Sequence, residues 1–323
     1  MFALLAAGVM AASSLAPLPH SSDLYVSGFF TSSIQRYRGP FNATPGPRPG
    51  PGQSAAFYAR PVTRRPWGIA FGPDGNLYVA NFGTGSDAIM RVQGPFSTTA
   101  GAVSTFVDGG VFFDVAFGTD GNLYAAGRGP VQRYDLITGA LIDDFTHGYT
   151  LAEVRAIAFG PDGNLYVTNF DSCVSGPVGC IGTRDEIVRF DGLTGAFLDV
   201  YVPDDQGGLD SPWDLAFGPD GALFVANAKS EGDGNILRFE RSTARRRSVR
   251  SPGTPEPFAT RPGLMPLAIA FGPDHNLYVS TSNNSGSEGA ILRFDGASGA
   301  FIDVFVPSVE GGPRGMTFAP GPR

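Results

Sequence analysis

Short apolar segments recur along the chain, and a glycine-bearing turn follows each of them. The clearest example is AFGPDGNLYVAN at residues 70–81; near copies return at four later places, 116–127, 158–169, 216–227 and 270–281. Apolar segments on both sides of a GPDG turn are typical of a β-hairpin, because glycine accepts the positive φ of a tight turn. No segment has the period of a long amphipathic helix. The pattern therefore predicts an all-β protein.

The spacing of the repeat predicts the architecture. Six phenylalanines anchor the repeat and are 42 to 58 residues apart: Phe71, Phe117, Phe159, Phe217, Phe271 and Phe318. Periods of this length, with four short strands in each unit, are typical of the blades of a β-propeller. We therefore expect each unit to contribute four antiparallel strands, A to D, with A innermost.

The strands can be placed in each unit. WGIAF is strand A, NLYVAN is strand B, and strand D follows a second glycine turn. Strand C ends in arginine plus an apolar residue and is predicted at 88–92, 130–134, 186–190, 235–239 and 290–294.

The two ends of the chain carry incomplete units. The segment 23–37 has strands B and C with no strand A before them, whereas 314–320 is a strand A with nothing after it. Pairing the C-terminal strand A with the N-terminal strands B–D would complete a sixth blade and remove exposed sheet edges. The sequence therefore predicts a six-bladed propeller.

The segment PWGIAFGPDGNLYVANF, followed by ILRFD and TG, resembles the NHL repeat. More widely, the chain resembles six-bladed propellers of the SMP-30/gluconolactonase group, virginiamycin B lyase and the peptide-amidating lyase. The resemblance extends over nearly everything after residue 22, and it implies one propeller domain over 21–323. It leaves the activity open, because one fold hosts many functions.

Arginine and aspartate recur at equivalent positions of the units. The arginines of strand C are Arg36, Arg91, Arg133, Arg189, Arg238 and Arg293, and the aspartates of the A–B turn are Asp74, Asp120, Asp162, Asp220 and Asp274. Equivalent positions on separate blades cannot converge on one ligand. We therefore expect a structural role, in which aspartate caps the turn and arginine forms hydrogen bonds between strands or blades.

The longest connections lie on the face where strand A begins, and loops on a rigid scaffold often carry binding function. Counting four residues back from each anchor phenylalanine gives one side chain per blade at the channel mouth: Trp67, Phe113, Arg155, Trp213, Leu267 and Arg314. Aromatic faces with two guanidinium groups suit a sugar or an anionic, partly apolar ligand. The alternative is that these side chains merely plug the channel.

A catalytic alternative depends on the same region. The SMP-30 resemblance implies a divalent metal held by carboxylate and amide ligands from this part of the inner strands, and the six mouth positions carry neither. Asp114 and Asp214 would supply carboxylates only if the register were shifted by one residue, and a structural role is the alternative for them. The lyases resembled use several histidines, and here His147 alone could approach this face. We expect no cofactor, with Ca²⁺ on a pair of loop carboxylates as the alternative.

Composition bears on compartment and partners. The formal net charge of −7 argues against a nucleic-acid partner. Of the 23 basic residues, Lys229 is the only lysine.

An apolar stretch followed by small residues over 1–20 predicts a secretory leader, with a disordered N-terminus as the alternative. No later stretch is long enough to span a membrane. Cys173 and Cys180 are the only cysteines, and a disulfide between them would fit an oxidising compartment.

The sequence thus predicts a secreted or periplasmic NHL-type propeller. We expect a non-enzymatic binding or assembly scaffold that recognises a protein, a glycan or a second copy of itself through the loop face. The alternative is a metal-dependent hydrolase, lactonase or lyase at the channel mouth, near Asp114, Asp214 and His147.

Overall fold

All regular structure in the described part of the chain is β-strand, which confirms the predicted all-β class. The computed structural model describes residues 22–41, 54–59, 65–83, 87–171, 175–176, 179–180, 184–204, 208–229, 233–240, 255, 257–282 and 288–320. A two-residue hairpin pairs β14 (Ser175–Gly176) with β15 (Gly179–Cys180). The other strands form six four-stranded antiparallel sheets.

Each sheet contains one strand of each predicted type. The A strands are β4 (Pro66–Phe71), β8 (Phe112–Phe117), β12 (Ile157–Phe159), β18 (Pro212–Phe217), β22 (Pro266–Phe271) and β26 (Pro313–Phe318). The B strands are β1 (Leu24–Gly28), β5 (Leu77–Asn81), β9 (Leu123–Gly127), β13 (Leu165–Asp171), β19 (Leu223–Asn227) and β23 (Leu277–Ser282).

The outer half of each sheet consists of the C and D strands. The C strands are β2 (Ser33–Tyr37), β6 (Ala88–Val92), β10 (Gln132–Tyr134), β16 (Arg184–Phe190), β20 (Asn235–Phe239) and β24 (Glu288–Phe294). The D strands are β3 (Ser54–Ala59), β7 (Val103–Asp108), β11 (Leu141–Asp144), β17 (Phe197–Val202), β21 (Pro257–Thr260) and β25 (Phe301–Glu310).

The sheets form a closed ring of six blades. Blade 1 has the strand order β26-β1-β2-β3, and blades 2 to 6 follow in chain order from β4, β8, β12, β18 and β22. Each A strand contacts the A strands of both neighbouring blades, and β26 contacts both β22 and β4. The ring therefore has no open edge between blades, as the sequence predicted.

The two ends of the chain meet in blade 1. Strands β26 and β1 pair antiparallel with Leu24 opposite Phe318. The hydroxyl of Ser27, which is fully buried, accepts a hydrogen bond from Gly315 N at 2.8 Å and donates one to the carbonyl oxygen of Trp67 in blade 2 at 2.6 Å. Ser27 therefore ties the C-terminal strand to the N-terminal strand and blade 1 to blade 2.

Six apolar clusters fill the spaces between blades, and each contains the same aromatic contact. The aromatic residue of strand B packs edge-to-face on the anchor phenylalanine of the next blade, with ring centroids 4.9 to 5.2 Å apart. The pairs are Tyr25–Phe71, Tyr78–Phe117, Tyr124–Phe159, Tyr166–Phe217, Phe224–Phe271 and Tyr278–Phe318.

The recurring aspartates and arginines are structural, as predicted. In blade 3, Asp120 accepts hydrogen bonds from the backbone N–H of Asn122 at 3.1 Å and from the hydroxyl of Tyr124 at 3.0 Å. Arg133 forms an ion pair with Asp143 on strand D at 2.6 Å and a longer one with Asp120 at 3.5 Å. The network thus joins the A–B turn to strands B, C and D of one blade.

We expect Ser27→Ala to destabilise the ring more than Ser280→Ala does. The Ser280 hydroxyl accepts a hydrogen bond from Ala268 N at 2.9 Å within blade 6, whereas Ser27 also bonds across to blade 2. Each buried group left without a partner costs about 1–3 kcal/mol, so Ser27→Ala should lower the unfolding free energy by about 2–4 kcal/mol and Ser280→Ala by about 1–2 kcal/mol. Urea unfolding monitored by circular dichroism measures both. An equal or smaller loss for Ser27→Ala would contradict this role for the closing blade.

Candidate functional site

Aromatic side chains meet over the channel axis. Trp67 in blade 2 and Trp213 in blade 5 stack with ring centroids 5.5 Å apart and an interplanar angle of 6°. Blades 2 and 5 are opposite each other in the ring, so this pair spans the channel mouth. Phe113 packs edge-on against Trp67 at 5.2 Å. The side chains of Trp67, Trp213 and Phe113 therefore fill part of the channel mouth.

Arg155 is held at the mouth by several contacts. Its guanidinium carbon lies 4.6 Å from the Trp213 ring centroid and 3.4 Å from that of Phe170. Nε donates to the carboxylate of Glu153 at 3.0 Å, and Nη1 donates to the Ser211 hydroxyl at 3.3 Å. The charge of Arg155 is therefore compensated within the protein.

Arg314 lacks such compensation. Its guanidinium carbon lies 4.8 Å from the Trp213 centroid, 5.3 Å from that of Trp67 and 5.2 Å from that of Phe29. Within the described ranges, Arg314 forms no ion pair with a carboxylate, and its buried Nε has no hydrogen-bond acceptor. Burial, together with the nearby charge of Arg155, lowers the pKa of Arg314 to about 10. The structure thus keeps an uncompensated cation at the mouth.

The mouth residues line a cavity of ≈ 140 Å³ on the axis. Five of the six predicted positions contribute to its wall: Trp67, Phe113, Arg155, Trp213 and Arg314. Leu267 is not among the lining residues and is only 4% exposed, so its side chain belongs to the protein interior.

Asp114 and Asp214 line the same cavity, one residue further along strands β8 and β18 than Phe113 and Trp213. Each carboxylate accepts a backbone N–H from the next blade: Asp114 from Ile157 N at 3.0 Å, and Asp214 from Ile269 N at 2.8 Å. Burial raises the pKa of Asp214 to about 7. Burial and the charge of Asp214 raise the pKa of Asp114 well above its usual range.

The aspartates and the strand B hydroxyls accept different N–H groups of the A strands. Strand A of several blades has a register irregularity near these positions, which leaves backbone N–H groups in need of acceptors. In three blades a strand B hydroxyl accepts such an N–H group: Ser27 from Gly315, Thr168 from Ala156, and Ser280 from Ala268. The aspartates accept the next N–H along, that of Ile157 in blade 4 and that of Ile269 in blade 6. Asp114 and Asp214 therefore have a structural role that links neighbouring blades.

The residues present do not fit a divalent cation. No group of three or more His, Cys, Asp or Glu suited to a metal exists among the described residues. Asp114 and Asp214 already accept backbone N–H groups, and the guanidinium groups of Arg155 and Arg314 line the same cavity. A hard cation requires several oxygen ligands and is repelled by such neighbours.

The alternative catalytic trio is not brought together. The backbone of His147 pairs with Ala196 in blade 4, its exposed side chain contacts the carbonyl oxygen of Phe145, and it does not line the cavity. The predicted disulfide stays a prediction, since Cys173 lies outside the described residues and only the backbone of Cys180 is described. The predicted leader at 1–20 also lies outside them.

Further mouth residues come from the C-terminal end of strand B, either just after it (Phe29 and Phe82) or near its last residue (Phe170). Phe29 and Phe82 pack edge-on against Trp67 at 5.5 and 5.8 Å, and Phe170 lies beneath Arg155. The sequence carries a signal for the last two, because Asn-Phe ends the strand B segments as ANF at 80–82 and TNF at 168–170.

Comparisons with known proteins agree with this fold. Residues 63–86 match the model of the NHL repeat, so the chain is a six-bladed β-propeller that carries an NHL repeat. The comparison with curated proteins gave no match. No helix suited to crossing a membrane was found in the part of the chain that the structure describes.

Several solved structures resemble the chain. A gluconolactonase of Xanthomonas campestris has 17% identity and a TM-score of 0.59 over 96% of this chain and 92% of that chain. TolB of Acinetobacter baumannii has 16% identity and a TM-score of 0.61, over 92% and 66%. A periplasmic gluconolactonase of Pseudomonas aeruginosa has 18% identity and a TM-score of 0.53, over 93% and 99%. At these identities the similarity shows the fold alone.

We expect Asp214→Asn to weaken the pH dependence of stability. A carboxyl group with a raised pKa binds its proton in the folded state at pH values where the unfolded chain has lost it, so stability falls as pH rises toward 7. Between pH 5 and 8 the wild type should lose about 2 kcal/mol more unfolding free energy than Asp214→Asn, whose amide oxygen can still accept the backbone N–H groups.

Urea unfolding at pH 5, 6, 7 and 8 measures this difference. Asp144→Asn, which alters an exposed carboxyl on β11, is the matched control and should follow the wild type. Equal pH slopes for the wild type and Asp214→Asn would show that the Asp214 carboxyl does not ionise in this range.

Proposed function

We propose that the protein is an exported, non-enzymatic binding propeller that recognises a small charged organic ligand at the channel mouth. The observation that carries the proposal is Arg314, a cation held on stacked indoles with no carboxylate partner in the described part of the chain. An uncompensated charge in a partly buried site is costly, and a ligand carboxylate would supply the missing partner.

The size of the cavity favours a small ligand at this position, in preference to a protein, a glycan or a second copy of the chain. Its volume is ≈ 140 Å³, and an apolar cavity of about 150 Å³ is known to hold a molecule of the size of benzene. The guanidinium group of Arg314, next to the two indoles of the cavity wall, offers a hydrogen-bonding fork for a carboxylate. The connections between strands also reach the mouth. Arg155 contacts Glu153 and Ser211, which lie in connections, and Phe170, which lies near the end of its strand.

A binding role is preferred over metal-dependent hydrolysis because the donor set does not fit a divalent cation and His147 lies away from the cavity. Export is supported by the apolar leader sequence at 1–20 and by the fold similarity to a periplasmic gluconolactonase.

Benzoate should bind at the mouth and change the tryptophan fluorescence. The only two tryptophans of the protein, Trp67 and Trp213, both line the cavity, so emission reports on this site alone. Arg314→Gln should weaken binding at least tenfold, because the carboxylate loses its bidentate cation. Arg261→Gln is the matched control, because Arg261 packs on the Phe301 ring and does not line the cavity. A saturable signal that is the same in both variants would contradict the proposal, and thermal unfolding checks that each variant is folded.

Metal removal should leave binding unchanged. Elemental analysis of purified, dialysed protein should find less than one divalent cation per chain, and a chelator should alter neither the benzoate affinity nor the thermal midpoint. The expectation follows from the two guanidinium groups that line the cavity. A stoichiometric metal that survives dialysis would favour the metal-dependent hydrolase instead.

A further inference from the structure

The axial cavity is lined by charged groups of both signs that do not pair with one another. Arg314 lies on one side, and Asp114 and Asp214 lie in the adjacent layer of the inner strands. We propose that the cavity binds a small α-amino acid-like zwitterion, with its carboxylate on Arg314 and its ammonium group facing Asp114 and Asp214. The inference rests on the proposed function and names the ligand class of that site.

On the cationic side of the cavity, Arg314 has no carboxylate partner among the described residues. Arg155 is neutralised by Glu153 at 3.0 Å, whereas Arg314 has only aromatic faces around it and an Nε without an acceptor. The lowered pKa of Arg314 reflects burial and repulsion by Arg155. A ligand carboxylate would offset both effects, because an adjacent negative charge favours the charged form of Arg314.

On the anionic side of the cavity, Asp114 and Asp214 lack a cationic partner among the described residues. Among the described residues, no arginine, lysine or histidine forms an ion pair with Asp114 or Asp214. Their partners in hydrogen bonds are backbone N–H groups, and burial raises the pKa of both carboxyls. An ammonium group would supply the missing cation and favour the ionised carboxylates.

The local geometry brings both signs of charge to one cavity. Arg314 lies four residues before its anchor phenylalanine, and the aspartates lie three before theirs. Successive side chains of a regular strand point to opposite faces, but register shifts in β8 and β18 interrupt this alternation at Asp114 and Asp214. The aspartates therefore line the same cavity as Arg314, and neither forms an ion pair with it.

Glycine makes room for the acidic layer. A Cβ atom on Gly68 would lie 2.1 Å from Asp114 Oδ1, and one on Gly315 would lie 2.4 Å from the carbonyl oxygen of Trp67. Side chains at these positions would displace the Asp114 carboxylate or the mouth backbone. The position of the Asp114 carboxylate thus depends on the missing side chain of Gly68, and the close approach of blades 1 and 2 depends on that of Gly315.

A ligand with a single charge complements only one of the two kinds of charged group in the cavity wall. A simple carboxylate would satisfy Arg314 and leave Asp114 and Asp214 without a cation, and a simple amine would do the reverse. A zwitterion of about six to eight heavy atoms matches both charges and the size of the cavity.

Three matched probes test the inference: L-valine, 3-methylbutanoate, which lacks the amino group, and 2-methylpropylamine, which lacks the carboxylate. Titration calorimetry and tryptophan emission at pH 8, above the pKa of about 7 of Asp214, measure each affinity. We expect valine to bind at least tenfold more tightly than either analogue.

The variants assign each charge to its partner. Asp214→Asn should reduce the valine affinity to that of 3-methylbutanoate, and Arg314→Gln should reduce it to that of 2-methylpropylamine. Asp144→Asn and Arg261→Gln, which do not alter the cavity wall, should retain the wild-type affinity. Asp114→Asn serves as the second acidic variant if Asp214→Asn does not fold.

The outcomes separate this inference from the proposed function. If 3-methylbutanoate binds as tightly as valine and depends on Arg314, the zwitterion is wrong while the binding role stands. The same conclusion follows if benzoate binds and none of the three probes does. If 2-methylpropylamine equals valine, the ligand is cationic and the inference fails. If neither benzoate nor any of the three probes binds, both proposals fail.

Discussion

The ring depends on one repeated contact, the edge-to-face pairing of a strand B aromatic ring with the anchor phenylalanine of the next blade. It occurs at all six blade junctions, including the one between the last and first blades. Aromatic pairs of this geometry contribute about 0.5–1.5 kcal/mol beyond the area they bury. Because the geometry is the same at each junction, it also sets how each blade is oriented against its neighbour.

A polar network holds the hydroxyl end of the same strand B aromatic side chain where that residue is tyrosine, as in blade 3. The Tyr124 hydroxyl donates to Asp120, and Asp120 pairs with Arg133, which is bound in turn to Asp143. The tyrosine therefore packs against the next blade with its ring and is held by its own blade through its hydroxyl. The same tyrosine–aspartate hydrogen bond forms in blades 2, 4 and 6, whereas Phe224 of blade 5 has no hydroxyl and Asp220 there forms an ion pair with Arg238.

Most of the fold could be predicted from the sequence because a propeller repeats one local pattern. The GPDG turn, the alternation of strand A and the arginine of strand C each determine a short segment, and the ring requires only that these segments repeat. The closure through Leu24 and Phe318 could also be predicted, since neither terminal unit was complete. The sequence carries less information about the loops, whose lengths differ from blade to blade.

The site could be predicted only in part. Five of the six mouth positions line the cavity, whereas the side chain of Leu267 packs in the protein interior, which the repeat does not encode. By the register of the repeat alone, the mouth residues and the aspartates were alternatives. In a channel this narrow, adjacent positions of β8 and β18 both reach the axis, so Asp114 and Asp214 share the cavity with Phe113 and Trp213.

The composite blade affects the order in which the molecule can form. Strand β1 has no inner neighbour until β26 leaves the ribosome, and the Ser27 and Gly315 that meet there are separated by 288 positions. Until then, the first blade presents a bare hydrogen-bonding edge to its surroundings, a state prone to mispairing with other chains. Assembly of the channel, and with it any recognition at its mouth, is therefore a late event in biogenesis, because Arg314 arrives on the very strand that completes the circle.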